Sequence, residues 1–260
     1  MDWNPHPLDA HSVPVHRRGK GKPLVLMHCL GQSHRFWDVL EPLTDTHELI
    51  AYSYPGHGDA PLPNHQYGVE ELTAQLRGIA EREGLHKFSL MGISLGGSVA
   101  AHFAGTYPHM IDKLVLADCT PRYDDEARAN WPVRAKAARE NGVASLIPML
   151  LQVFFTPASI AENGPNVRHV RDVFEACSGE AYALACEALA HVDAWPQTQK
   201  ITAPTLIMLG SNERQSFQDA ADRMLATIPG SRKVFVPEAG HASVRERPAF
   251  VVEQLRTFLG

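Results

Sequence analysis

The chain has 260 residues, of which 44% are hydrophobic, and its 24 Lys and Arg residues against 29 Asp and Glu residues give a formal net charge of -5. This length and apolar content can bury one sizeable core, while an acidic balance without a long run of like charges argues against nucleic acid as a partner. The N-terminal residues hold no apolar stretch of signal-peptide length and no run of about 18 apolar residues follows, so we expect a cytoplasmic protein that does not engage a membrane.

Short apolar segments rich in β-branched residues recur along the chain. They are residues 24–28, 48–54, 87–93, 113–118, 205–210 and 233–237. Their continuous apolar character is typical of parallel strands that are covered on both faces. Helix-like segments at residues 69–83, 96–107, 217–228 and 248–259 alternate with them. The pattern predicts an α/β fold with a mostly parallel, twisted sheet covered by helices.

The alternation of strands and helices fails once, between residues 121 and 200. This segment has only helix-like pieces, at 126–140, 143–155 and 180–190. We expect residues 1–120 and 201–260 to form the α/β core, and residues 121–200, called the cap segment here, to lie over the sheet as a helical insertion. The apolar run at 145–155 within it would suit the wall of a substrate pocket.

A serine stands between two glycines where an apolar strand ends, in Gly92-Ile93-Ser94-Leu95-Gly96. A strand that turns at once into a helix crowds the residue at the turn, and glycine two positions to either side relieves the crowding. Such a turn raises the serine Oγ above the carboxyl edge of the sheet, where open α/β folds bind ligands. It also aims the N-terminus of the next helix at the same point. The stretch therefore predicts that Ser94 is a nucleophile.

A serine hydroxyl needs a base, and the base needs a group that orients it. After this kind of turn the chain order is serine, acid, histidine. The predicted base is His241, in the loop after the strand at 233–237. For the acid we favour Glu213, three residues after the strand at 205–210. Asp118 stays an alternative, because it ends an earlier strand that opens onto the same edge of the sheet. Arg214, next to Glu213 in the sequence, could also hold Glu213 in a structural ion pair.

Two backbone N–H groups are the predicted oxyanion hole. One belongs to Leu95, directly after the nucleophile, and the other to Leu30, in the loop after the first predicted strand. Each such donor contributes about 3 kcal/mol to the transition state. The neighbouring Cys29 is interpreted as a packed residue, since no base is specified beside it.

Cysteine and histidine spacing gives no sign of a metal site. The chain has four cysteines and 14 histidines, but it has no C-x-x-C pair and no H-E-x-x-H motif. We expect reduced thiols, no metal and no other cofactor.

Five motifs follow one another in the order HCLG (28–31), YPGHG (54–58), GISLGG (92–97), APTLIMLG (203–210) and AGH (239–241). Together they resemble the α/β-hydrolase superfamily over about residues 12–259. The stretches 154–160 and 179–195 resemble those of 3-oxoadipate enol-lactonases and related carboxylesterases. The resemblance implies a cofactor-free serine hydrolase that acts on an ester or lactone, with Ser94 as nucleophile and His241 as base. Three positions depart from the pattern: Cys29 replaces a glycine, Ser53 an aspartate and Glu213 an aspartate.

We therefore expect an acyl-enzyme mechanism on a small-molecule ester or lactone, with homo-oligomerisation left open. Carbon–carbon bond hydrolases of β-diketones keep the same three residues and are the first alternative. A cofactor-free dioxygenase, which would favour Asp118, and a non-catalytic small-ligand binding protein are the others. The cap segment has eight Lys and Arg against ten Asp and Glu residues, so no basic funnel for a diacid is predicted.

Overall fold

A seven-stranded sheet forms the centre of the computed structural model, which describes residues 3–260. Its strands are β1 (Val15–Arg18), β2 (Lys22–Met27), β3 (His47–Tyr52), β4 (Phe88–Ile93), β5 (Ile111–Ala117), β6 (Thr205–Gly210) and β7 (Arg232–Val236). Their order across the sheet is β1-β3-β2-β4-β5-β6-β7. Only β1 runs antiparallel to its neighbour, and the other five pairs are parallel. The predicted mostly parallel α/β fold is confirmed.

Eleven α-helices lie between or after the strands within the described residues. They are α1 (Val69–Arg82), α2 (Leu95–Thr106), α3 (Asp125–Asn141), α4 (Ile147–Phe154), α5 (Pro157–Glu162), α6 (Pro165–Ala176), α7 (Gly179–His191), α8 (Trp195–Thr198), α9 (Gln215–Thr227), α10 (Ser243–Glu246) and α11 (Pro248–Leu259). A 3-10 helix at His34–Leu43 follows β2. Every residue of β4 and β6 is buried, as expected of strands covered on both faces. None of the helices in residues 3–260 is both long and apolar enough to cross a bilayer.

The cap segment contributes the six helices α3 to α8, which lie between β5 and β6 in the chain. Helix α3 packs against α7. The helix expected over 143–155 is instead a 3-10 helix at Val143–Leu146 followed by α4. Pro148 explains the break, because it occupies the first turn of α4. The N–H that proline lacks would have no helical partner at this position, so proline favours a helix start there. The division into core and cap at residues 121 and 200 stays a prediction.

Candidate active site

Ser94 occupies a strained turn between β4 and α2. Its backbone has φ 55° and ψ −119°, a region that costs free energy for any residue other than glycine. The two flanking glycines stand where no side chain fits. A Cβ on Gly92 would lie 2.1 Å from the carbonyl oxygen of Gly96, and a Cβ on Gly96 would lie 2.1 Å from that of Met27. Both glycines are therefore required for the backbone to turn sharply enough.

The structure brings Ser94, His241 and Glu213 into one hydrogen-bonded chain. Ser94 Oγ lies 2.8 Å from His241 Nε2, and His241 Nδ1 lies 2.5 Å from Glu213 Oε2. A carboxylate can only accept, so Nδ1 carries the proton and Nε2 is free to accept from the serine. All three residues are buried. This is the arrangement that activates a serine hydroxyl for attack.

The second oxygen of Glu213 fixes the carboxylate in place. Oε1 accepts a hydrogen bond from the N–H of Arg214 at 2.8 Å, and the Arg214 guanidinium Nε lies 3.8 Å from it. Burial alone would raise the pKa of Glu213, but the charge and hydrogen bond of His241 outweigh it, with help from Arg214, so the pKa lies below its ordinary value. Glu213 is thus an anion that both orients His241 and pairs with Arg214.

The alternative acid, Asp118, has other partners. Its Oδ1 accepts from the N–H of Gly210 at 2.8 Å, and its Oδ2 accepts from the hydroxyl and the N–H of Ser243 at 2.5 and 3.2 Å. Burial raises the pKa of Asp118 well above its ordinary value, and the charge of Glu213 adds to the rise, against the hydrogen bonds from Ser243 and Gly210. Asp118 therefore ties the end of β5 to β6 and α10, and among the described residues its carboxylate forms no hydrogen bond with the His241 ring.

The two amides predicted to form an oxyanion hole are both free to donate. Within residues 3–260, neither the N–H of Leu30 nor that of Leu95 donates a hydrogen bond to another group of the chain. Leu95 begins α2, where the first N–H groups of a helix have no partner inside the helix. Both residues are buried. Their role as an oxyanion hole remains a proposal, supported by these two unpaired donors.

His28 holds the loop that carries Leu30. Its Nδ1 lies 2.8 Å from the carbonyl oxygen of Cys29, and its Nε2 accepts from the N–H of Tyr54 at 3.0 Å. Burial lowers the pKa of His28 well below its ordinary value, so the ring is neutral, as one donor and one acceptor require. Burial also raises the pKa of the Cys29 thiol, which fits a packed residue and not a nucleophile.

A cavity of about 1340 Å³ lies between the cap segment and α9. Residues of α3, α4, α8, α9 and the loop after β5 line it. Tyr123 and Phe217 are the lining residues next to the site. The Phe217 ring centroid is 5.0 Å from that of His241. Burial raises the pKa of the Tyr123 phenol, and its proximity to Ser94 acts in the opposite direction. The cavity thus ends at two side chains that contact the hydrogen-bonded chain.

Arg134, on α3, is the charged side chain that sits deepest in this cavity. Of the charged residues that line it, all are exposed except Arg134. Its guanidinium lies 4.6 Å above the Trp131 ring and donates to the hydroxyl of Tyr182. Its Nε is buried without a hydrogen-bond partner, and no carboxylate in the described part of the chain forms an ion pair with it. A guanidinium group without an ion-pair partner can bind an anionic group that enters the cavity.

Sequence reasoning did not single out Tyr123, Phe217 or Arg134. All three depend on how the cap folds over the sheet, and no local pattern around them marks a side chain that points into a cavity.

One group of described residues could gather three metal ligands: His16, His34 and Asp59, whose donor atoms lie within 4.8 Å of one another. His16 Nε2 and Asp59 Oδ2 are 2.8 Å apart, a distance that a hydrogen bond explains. The two imidazole rings are stacked, with centroids 3.6 Å apart, so their in-plane lone pairs do not converge on one point. None of these residues belongs to the chain of Ser94, His241 and Glu213.

Comparisons with known proteins agree with this architecture. The alpha/beta hydrolase family matches residues 24–254. The chain is 27% identical over 226 residues to 3-oxoadipate enol-lactonase 2 of Acinetobacter baylyi, covering 86% of this chain and 84% of that protein. Among solved structures, the enol-lactonase of Burkholderia xenovorans LB400 superposes with a TM-score of 0.90 at 25% identity, covering 95% of this chain and 96% of that one. A thermophilic esterase from Thermogutta terrifontis gives 0.89 at 26% identity, over 95% and 92%.

These relatives confirm the predicted resemblance to enol-lactonases and esterases and the predicted class of hydrolase. The family match includes the turn at Ser94 and extends past His241. The chain therefore belongs to the alpha/beta hydrolase family.

Proposed function

We propose that this protein is a serine hydrolase that cleaves a carboxylic ester or lactone through an acyl-enzyme. The observation that carries the proposal is the buried hydrogen-bonded chain from Glu213 through His241 to Ser94. The relatives described as enol-lactonase and esterase support the choice of substrate class.

In the first half-reaction Ser94 Oγ attacks the carbonyl carbon while its proton passes to His241 Nε2. Glu213 accepts the Nδ1 proton in a hydrogen bond and so stabilises the imidazolium. The N–H groups of Leu30 and Leu95 donate hydrogen bonds to the carbonyl oxygen and stabilise the negative charge that develops on it. His241 then returns the proton to the leaving alkoxide as the ester bond breaks, and an acyl-serine remains.

In the second half-reaction His241 takes a proton from water, which attacks the acyl-serine. Collapse of the second tetrahedral intermediate returns the proton to Ser94 Oγ and releases the acid. With a lactone, acid and alcohol leave as one hydroxy acid, or as its keto form when the alcohol is an enol. The proton that moves comes from Ser94 in the first half-reaction and from water in the second, and His241 carries it each time.

The cavity borders the site at Tyr123 and Phe217, so it is a candidate space for the part of an ester away from the reacting carbonyl. Its volume, about 1340 Å³, exceeds the roughly 300–1,000 Å³ of ordinary ligand pockets. Arg134 places an unpaired positive charge inside it. These features favour substrates larger than an acetate ester that carry an anionic group. The Thermogutta terrifontis esterase was solved with malate, a dicarboxylate, bound.

A short substrate panel tests the proposal. Wild type and Ser94→Ala are compared on p-nitrophenyl acetate, p-nitrophenyl butyrate, an unsaturated lactone and a vinylogous diketone. We expect ester or lactone turnover that is lost in Ser94→Ala. Turnover confined to the diketone would replace the proposal with a carbon–carbon bond hydrolase. If the folded enzyme turns over none of these substrates, the result would favour a dioxygenase or a binding protein.

A further inference from the structure

Glu246 joins two segments that are far apart in the sequence. It is the last residue of α10, the short helix that follows His241. Its Oε2 accepts from the N–H of Gly240 at 2.5 Å, and its Oε1 accepts from the N–H and the hydroxyl of Thr156 at 2.9 and 2.8 Å. Gly240 immediately precedes His241, and Thr156 lies in the cap segment between α4 and α5.

A direct contact links the same two segments on the other side of His241. The N–H of Ala242 donates to the carbonyl oxygen of Phe154 at 2.7 Å. The Phe154 ring also packs edge-on against the His241 ring, with centroids 5.6 Å apart. The two backbone N–H groups that flank His241 are therefore both held by the cap, one directly and one through Glu246.

These contacts explain why a carboxylate suits position 246. Hydrogen bonds to a carboxylate are shorter and stronger than those between neutral groups, and here two oxygens serve three donors on two segments. No Lys or Arg in residues 3–260 forms an ion pair with Glu246, so its hydrogen bonds go to backbone and hydroxyl donors.

We propose that Glu246 is a positioning residue for His241, which couples the place of the cap segment to the geometry of the catalytic base. The proposal rests on the proposed function, in which His241 is that base. Displacing the cap at Thr156 then moves the backbone of His241. A base that moves by about 1 Å can lose two orders of magnitude in rate.

Glu246→Gln separates the two sides of this link while keeping the side-chain volume. An amide has one acceptor oxygen. If that oxygen stays with the two donors of Thr156, the NH₂ group faces the N–H of Gly240 and the loop before His241 is released. We expect kcat on p-nitrophenyl butyrate to fall about 10- to 100-fold, with KM within about twofold. The matched control is Glu253→Gln on α11, an exposed side chain, which should leave kcat unchanged.

Thr156→Val leaves Glu246 in place and removes one of the three hydrogen bonds to it, together with the N-cap hydrogen bond that Thr156 Oγ1 accepts from the N–H of Ser159 at 3.3 Å. It should lower kcat by a smaller factor. The double variant should be no slower than Glu246→Gln alone, since both changes break the same link. If Glu246→Gln fails to fold, as judged by circular dichroism, Thr156→Val decides the outcome by itself, and unchanged kcat in this variant overturns the proposal.

A readout independent of turnover keeps this test separate from the proposed function. The His241 Nδ1 proton, shared with Glu213, gives a far-downfield NMR resonance, and we expect faster exchange and loss of this resonance in Glu246→Gln but not in Glu253→Gln. Folded Glu246→Gln with wild-type kcat and resonance overturns the proposal. A wild type that shows the resonance but cleaves no ester refutes the proposed function, while the comparison of resonances still decides the role of Glu246.

Discussion

Replacing Glu213 by Gln should remove the catalytic competence of His241 with little change in shape. The two carboxylate oxygens have different partners, the N–H of Arg214 and the Nδ1–H of His241. An amide has one oxygen for both. If it stays with Arg214, the NH₂ group faces Nδ1, the imidazole proton moves to Nε2, and Nε2 can no longer accept the proton of Ser94.

The size of the loss follows from the alternatives open to that amide. Turning it round restores the acceptor for Nδ1 but leaves the Arg214 N–H opposite a donor, at a cost of about 1–3 kcal/mol. The productive tautomer is then a minority of roughly one part in 5 to 150. Loss of the charge that stabilises the imidazolium lowers the rate further, toward the roughly 10⁴-fold effect of a wrong tautomer in serine proteases. We expect kcat to fall about 10²- to 10⁴-fold.

Asp118→Asn is the matched comparison. Asp118 has φ 42°, a conformation that asparagine tolerates, and the amide oxygen can still accept from Gly210. We expect kcat within about tenfold of wild type. The assay is kcat and KM on p-nitrophenyl butyrate for three folded proteins. A Glu213→Gln enzyme within tenfold of wild type, or a larger loss in Asp118→Asn, would refute the assignment of the acid.

Three further outcomes are expected. Gly96→Ala should lower the free energy of unfolding, measured in urea, by about 1–3 kcal/mol, because the added Cβ would meet the carbonyl oxygen of Met27. In the control Gly164→Ala the added Cβ has nothing nearer than 3.8 Å, and the free energy of unfolding should not fall. Burial lowers the pKa of His57 to about 4, so only the unfolded chain binds that proton between pH 6.5 and 4. The contribution of His57 to stability should therefore fall by about 3 kcal/mol as the pH drops through this range, in addition to that of other buried histidines such as His102. A His57→Gln variant with the same pH slope as wild type would contradict this. Arg134→Gln should lower kcat/KM about tenfold more for a p-nitrophenyl ester with a terminal carboxylate than for p-nitrophenyl butyrate, and equal losses would exclude the anion contact.

Much of the core could be predicted because its signals are local. The strands β2 to β7 show as continuous apolar runs, and the turn at Ser94 shows as two glycines at fixed spacing. Strand β1 has the sequence VHRR, which carries no apolar run because it lies at the sheet edge, and so it was missed. Pro148 divided a predicted helix in two.

The site could be predicted only in part, for a related reason. Ser94, Glu213 and His241 each follow a strand, and parallel strands bring their carboxyl ends to one edge of the sheet. The place of Arg134 depends on how α3 packs against α7 within the cap, and that of Glu246 on a contact between the core and the cap. No sequence pattern predicts which residues meet in such contacts. The choice between Glu213 and Asp118 likewise needed the geometry of the two carboxylates.

The central claim is that Ser94 is an activated nucleophile, and reaction with a fluorophosphonate tests it most directly. Intact-mass spectrometry with peptide mapping, on wild type and Ser94→Ala, reports the stoichiometry and place of the adduct. The account predicts one adduct per chain on Ser94, none in Ser94→Ala and slow labelling in Glu213→Gln. Folded wild type that stays unlabelled, or that is labelled at another residue, would contradict it.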